Sequence, residues 1–458
     1  MTHQTTNDHT RTGLDRRRFL LKAGLAAGAG ALPLLGAADT AHASPPRTPE
    51  PRTARTTTPE HRPPAPRTSV PPADPTADAD QLFTSGQFAA AARGYARLLR
   101  ADPDNAHAAA QSGYIHLLSD RLERAESFLL KALRLAPDDV FTRGRLANCL
   151  IRQDDYARAA PLLPEPLGVQ AAAVTGTPFE QHGPPVTRVP FLAVDPLPQL
   201  EASVAGLAPW RFVLDTGAGD ITLTTQRAEQ AGLRAVASTT MTINGRPSTT
   251  YLGVAPSLRI GEIELRHVPV TWIDEAILAF PDGTVPDGTI GWSVFYRFLT
   301  TLDYRRKALV LRRKTPAQQR EFRTEAARTG LRPQPMWLPD HVPCTPAKLN
   351  GYGPGIAGMD TGTIGAGLNT SVANAERAGI TVDFDHPTPV NGGAATIYPI
   401  TADRVSIGDA VGRHLPGSAG PVPGEGAVRF DLIGNITHEF FKPFAVTFDY
   451  AAMRLYVG

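Results

Sequence analysis

Cysteine is nearly absent from this chain: Cys149 and Cys344 are the only two among 458 residues. They fall in different predicted domains with no metal-ligand spacing around either, so a disulfide framework is excluded and two free thiols are expected. Surplus charge is lacking as well. Lys and Arg number 46 against 44 Asp and Glu, a net charge of +2, which argues against nucleic acid or an anionic membrane as a partner. No Gly-x-Ser-x-Gly elbow occurs, and no phosphate-binding Gly-rich loop carries a Lys. His438-Glu439 starts like a zinc-protease motif, but Lys442 stands where the second His is required, so no metal and no cofactor are expected.

What is present divides the chain into segments. Hydrophobic residues make up 42% and charged residues 20%, ordinary for a globular protein of several domains. Residues 1–43 read as an export signal. Asp15-Arg16-Arg17-Arg18-Phe19-Leu20 resembles the twin-arginine motif, a weakly apolar stretch runs from Phe19 to Ala38, and Ala41-His42-Ala43 fits a small-x-small cleavage site. That stretch is marginal for spanning a bilayer, so no stable membrane span is expected after cleavage. The implied location is extracellular or the bacterial cell envelope. Residues 44–77 are dense in Pro, Thr and Arg and read as an extended, disordered linker.

Residues 78–165 carry a helical pattern of period 34: Phe88, Leu122 and Tyr156 are so spaced, as are Ala91, Ala125 and Ala159. Pro103 and Pro137 close successive units, and Gly113 and Ala147 stand where paired helices cross. This segment resembles tetratricopeptide repeats. Its function is open between a docking groove for a protein partner and a helical cap that braces the rest.

The chain's main repeat lies further on. Asp-Thr-Gly occurs at Asp215-Thr216-Gly217 and again at Asp360-Thr361-Gly362, each within a matching framework. After Asp215, Gly232 follows at 17, Tyr251 at 36, Gly261 at 46 and Gly291 at 76 residues. After Asp360, Gly379 follows at 19, Tyr398 at 38, Gly408 at 48 and Gly434 at 74. Phe298 to Tyr304 closes the first unit and Phe444 to Tyr450 the second. One Asp-Thr-Gly is a weak signal; two in matched tracks make an internal repeat.

Each unit resembles a retropepsin-like aspartic protease lobe: a leading hairpin, a strand into Asp-Thr-Gly, a flap hairpin, then an apolar-apolar-Gly turn. The resemblance spans residues 186–314 and 331–458, joined by a helical linker at 315–330. Pro190 to Val204 is expected to form the leading hairpin of the first lobe, and Asn244-Gly245 and Asn391-Gly392-Gly393 mark the flap turns. The fold expected is multidomain: a short α-helical solenoid followed by a bilobal all-β acid-protease fold. Carrying both lobes in one chain resembles the pepsin arrangement, for which a monomer suffices.

The resemblance implies a function and roles for particular residues. Asp215 and Asp360 would be the catalytic pair, acting on a peptide or protein substrate as an aspartic endopeptidase. Thr216 and Thr361 would bond across to the opposite loop, and Gly217 and Gly362 would let the loops approach. Thr363 stands three residues after Asp360 where Ala218 follows Asp215. A hydroxyl there stabilises a carboxylate, so Asp360 is expected to be the ionised partner and Asp215 the protonated one. Tyr251 and Tyr398 are candidate flap contacts, with ordinary strand packing as the plainer reading. Gly355-Ile356-Ala357-Gly358-Met359 is thin for a strand, and Gly358 is expected to weaken it and widen the site. The alternative from another class is a catalytically weak peptide-binding scaffold that works through residues 78–165.

Overall fold

The computed structural model describes residues 75–243, 246–274, 278–390 and 393–458. The export signal, the linker up to residue 74 and the flap-turn residues Asn244, Gly245, Asn391 and Gly392 lie outside the described residues.

The helical segment consists of antiparallel helices Pro75–Thr84, Phe88–Ala101, Ala106–Leu118, Leu122–Leu135, Val140–Arg152 and the short Tyr156–Ala159. Caps are written into the sequence: Asn105 accepts from the Ala108 amide and Asp139 from those of Phe141 and Thr142. Gly113 sits against Leu129, where an added Cβ would lie 2.7 Å from Leu129 Cγ, so helices cross closely there. One further helix, Glu165–Ala173, leads from this segment toward the first lobe. Among the described residues no helix is long and apolar enough to cross a membrane.

Two closed β-barrels follow. In the first, Trp210–Leu214 pairs with Gln199–Val204 on one side and Gly288–Ile290 on the other. The ring continues through Ile221–Thr224, Ile263–Ile273 and Arg246–Ile260 back to Gln199–Val204. The second repeats this circuit with Cys344–Leu349, Tyr352–Asp360, Gly434–Thr437, Leu368–Thr370, Ala410–Ala419 and Ala395–Ile407. A third sheet joins the lobes: Phe298–Asp303 pairs antiparallel with Ala445–Asp449. Its register places Thr301 opposite Thr447, equivalent positions of the repeat, with hydroxyl oxygens 2.8 Å apart. The pseudo-two-fold axis passes between them.

Three details differ from the sequence reading. Within the expected leading hairpin only Leu192 to Gln199 doubles back locally, and Val186–Pro190 before it joins the shared sheet against Ala308–Arg313. Gly358 does not thin its strand. Tyr352–Asp360 is continuous, and a Cβ at Gly358 would lie 2.2 Å from Asn435 Oδ1, so the glycine makes room for a buried amide. The apolar-apolar-Gly turn is also shifted in the second lobe. Leu214 faces Ile290 whereas Met359 faces Ile436, so Gly291 corresponds to Thr437 and not to Gly434. The linker helix runs Pro316–Arg328, starting at a Thr315 cap.

The helical segment is packed onto the lobes. Phe83 and Phe88 meet Phe430 edge-on at 6.1 and 5.0 Å between ring centroids. Tyr114 donates its hydroxyl to the Val428 carbonyl at 3.0 Å. Arg152 is wholly buried; its guanidinium donates to the carbonyls of Leu117, Leu338 and Asp340 at 3.0, 2.8 and 2.9 Å. Cys149 and Cys344 are both free and buried, and burial pushes their thiols up to about 11 and about 12.

Candidate active site

Each Asp strand ends in a tight turn, because its apolar residues commit it to the barrel core and Asp-Thr-Gly then leaves the sheet. Leu214 and Met359 are fully buried anchors of the two strands. Each donates its amide to a proline carbonyl, Leu214 to Pro198 at 2.8 Å and Met359 to Pro343 at 2.9 Å. The two turns meet across the pseudo-two-fold axis, bringing Asp215 and Asp360 together with each about 5% exposed.

The threonines hold the turns in register. The Thr216 amide donates to Thr361 Oγ1 at 3.0 Å, and the Thr361 amide to Thr216 Oγ1 at 3.1 Å. Each hydroxyl then donates into the opposite strand, Thr216 to the Met359 carbonyl at 2.8 Å and Thr361 to the Leu214 carbonyl at 3.1 Å. Four hydrogen bonds thus cross the axis, all buried, where they are worth most. The glycines are required by proximity: a Cβ on Gly217 would lie 2.6 Å from Asp360 Oδ1, and one on Gly362 2.2 Å from the Asp215 carboxyl.

The carboxyls are held unequally. Asp215 Oδ1 accepts from the Gly217 amide at 2.7 Å, and Asp360 Oδ1 from the Gly362 amide at 2.8 Å. Asp360 alone has a second donor, the Thr363 hydroxyl, at 3.1 Å from Oδ2; Ala218 has nothing to offer Asp215. Burial, followed by the charge of Asp360, lifts Asp215 well above the usual carboxylate range. Burial raises Asp360 too, opposed by the Gly362 amide, the Thr363 hydroxyl and a hydrogen bond from Asp215. The pair therefore holds one proton more readily than either ordinary carboxyl, with the proton biased toward Asp215.

The candidate flap tyrosines each pack against a neighbouring aromatic ring. Tyr251 stacks on Trp272 of the paired strand with ring centroids 5.9 Å apart, and Tyr398 meets Phe384 edge-on at 4.9 Å. Trp272 lies on the strand paired with that of Tyr251, whereas Phe384 lies in an exposed turn.

Sequence reasoning missed a second group beside the catalytic loop. His341 places Nε2 3.1 Å from the Gly217 carbonyl oxygen and Nδ1 3.0 Å from Asp340 Oδ2. Burial disfavours its cation, yet Asp340, the charge of Asp220 and the Gly217 carbonyl together raise its pKa. The flanking prolines, Pro339 and Pro343, were the signal available: they mark a rigid loop, but nothing in the sequence ties it to Gly217. On the opposite side Asp195, His438 and Glu439 bring ligand atoms within 4.8 Å of one another. Lys442 Nζ lies 2.6 Å from Glu439 and also bonds Asp195, so an ammonium already supplies the positive charge there.

No curated protein matches the chain. Among solved structures, a retropepsin-like aspartic protease from Rickettsia conorii is 21% identical with a TM-score of 0.21, the match covering 29% of this chain and 91% of that one. An O-GlcNAc transferase mutant from Thermobaculum terrenum is 23% identical with a TM-score of 0.19, over 21% of this chain and 18% of that one. Residues 200–294 match the family described as Aspartyl protease. That span contains Asp215-Thr216-Gly217, so the chain carries an aspartyl protease domain.

Proposed function

We propose that the chain is an exported aspartic endopeptidase whose single active site is formed by Asp215 and Asp360. The observation that carries this reading is the buried pair of facing carboxyls clamped by Thr216 and Thr361. Two carboxyls so close do not both ionise cheaply, and aspartic proteases use one shared proton for this reason. Asp360, the anion with the extra hydrogen bond from Thr363, takes a proton from a water lodged between the carboxyls. The oxygen attacks the peptide carbonyl carbon while protonated Asp215 donates to the carbonyl oxygen. Collapse of the tetrahedral adduct passes the proton from Asp360 to the leaving nitrogen and returns one to Asp215, so the dyad ends as it began.

The helical segment acts in this reading as a brace. Its aromatic face is spent on Phe430 and its buried Arg152 on the backbone of Leu338 and Asp340, which leaves less of it for a docking partner than the scaffold reading needs. Export rests on the twin-arginine-like segment before Ala43 and is tested by locating the mature N-terminus of secreted protein. The activity is tested by incubating the full chain with a mixed peptide library between roughly pH 3 and 7, the range in which such dyads hold one proton. Internal cleavage products support the reading; an untouched library over that range contradicts it.

A further inference from the structure

The pseudo-two-fold axis makes the surroundings of the dyad comparable residue by residue, and the two sides are not alike. Four and five residues after Asp215 stand Gly219 and Asp220; after Asp360 the same places hold Ile364 and Gly365. The Pro198 and Pro343 bonds align Asp340 and His341 with Asp195 and Pro196. The strand registers align Trp292 and Ser293 with His438 and Glu439. On the Ile364 side the space is filled: Ile364 packs with Leu197 and Phe280, and Lys442 bridges Asp195 and Glu439. On the Gly219 side it is open. A pocket of about 60 Å³ is lined there by Gly219, Asp220, Trp292, Ser293, Asp340 and His341.

The helical segment supplies the far wall of this pocket through Tyr156, Leu167 and Gln170. Gln170 is fixed by donating to the carbonyls of Gly253 and Val270, both at 2.9 Å. The pocket's charges are nearly all matched. His341 pairs with Asp340, and Arg297 with Asp154. Asp220 is held less directly: among the described residues no hydrogen bond or ion pair reaches its carboxylate, and burial holds its pKa up at about 6 although the charge of His341 acts against it. Two more polar groups are buried without a partner, Ser293 Oγ and Trp292 Nε1, on residues only 4% and 5% exposed. Buried polar groups are ordinarily satisfied, so these two unmet groups beside the half-buried Asp220 carboxylate point to a ligand.

We propose that this pocket is a substrate subsite for a cationic group, an ammonium or guanidinium, held by Asp220 with Ser293 Oγ as second acceptor. Trp292 Nε1 is left to donate to a peptide carbonyl. The helical segment is then part of the cleft wall, and the filled opposite side makes the cleft directional. The proposal rests on the peptidase reading of the same site, and the cation comes from a Lys or Arg side chain or from a free peptide N-terminus.

The test uses the full chain carrying Asp215→Asn, so that binding is read without cleavage. Fluorescent octapeptides are titrated in which Lys at each position in turn is replaced by norleucine, each with a free and an acetylated N-terminus. Binding about ten-fold tighter for Lys at one position assigns a side-chain subsite, and the same gain for the free amine assigns an N-terminal one. In either case adding Asp220→Asn should bring the ratio close to one. Equal affinities across the series, or a preference that survives Asp220→Asn, overturns the proposal. Cleavage of the same peptides by the unsubstituted chain is followed separately. Loss of cleavage with selective binding intact would sink the peptidase reading and leave the subsite standing.

Discussion

Thr216 and Thr361 exchange hydrogen bonds across the pseudo-two-fold axis, each amide donating to the other's hydroxyl oxygen at 3.0 and 3.1 Å. Replacing either by Val keeps the volume but strands the opposite amide and a carbonyl, Met359 or Leu214. The expected cost is about 1–3 kcal/mol of stability for each orphaned group, read from denaturant melts, with cleavage reduced further than folding. Ser at either position should restore most of both.

Thr363 accounts for the inequality of the dyad. Thr363→Ala removes the hydroxyl donor to Asp360 Oδ2, so the anion loses a stabilising bond and its protonation moves to higher pH. The acid limb of kcat/KM against pH should shift upward. An unmoved acid limb would mean that Thr363 does not set which carboxyl ionises.

Gly217→Ala and Gly362→Ala test the close approach. A methyl at either position overlaps the opposite carboxyl, at 2.6 and 2.2 Å, and forces the turns apart. Overpacking of this kind costs about 1–3 kcal/mol, and activity should vanish while the protein remains folded by circular dichroism.

Arg152 ties the helical segment to the lobes. Arg152→Met leaves the carbonyls of Leu117, Leu338 and Asp340 without their donor. A loss of about 3–5 kcal/mol is expected, with calorimetry resolving the helical segment as an earlier transition. A single transition of unchanged midpoint would contradict the bracing role.

His438 makes stability depend on pH. Burial, with the charge of Lys442, lowers its pKa from 6.5 to about 3, so between those values only the unfolded chain takes up the proton. Its contribution is fully present above pH 6.5 and is lost as pH falls toward 3, at roughly 1.4 kcal/mol per pH unit. The difference in stability between the native chain and His438→Leu should therefore shift toward the variant on acidification. Urea melts at several pH values measure it.

Much of this architecture was legible because it is repeated. Two Asp-Thr-Gly turns in matched tracks implied two lobes, and the closing strands Phe298–Asp303 and Ala445–Asp449 pair about the axis that this repetition requires. The 34-residue spacing of Phe88, Leu122 and Tyr156 likewise marks the first residue of every second helix. What stayed hidden depends on contacts between distant segments. Asp220 and His341 lie 121 residues apart and meet only because one loop of the second lobe reaches the catalytic turn of the first. Gly358 read as a weak strand residue because Asn435, the side chain it accommodates, cannot be inferred from local sequence. The shift from Gly434 to Thr437 was concealed by loop-length drift, since a motif count does not know which residues share a hydrogen-bond ladder.

The most direct test of the paired-carboxyl account is cleavage of one well-cut peptide by Asp215→Asn and by Asp360→Asn, followed across the acid to neutral range. If the two carboxyls act as one unit, both variants lose activity to a similar extent, about a thousand-fold or more, while the parent shows a bell-shaped pH profile. Either variant cleaving at the parental rate would contradict it.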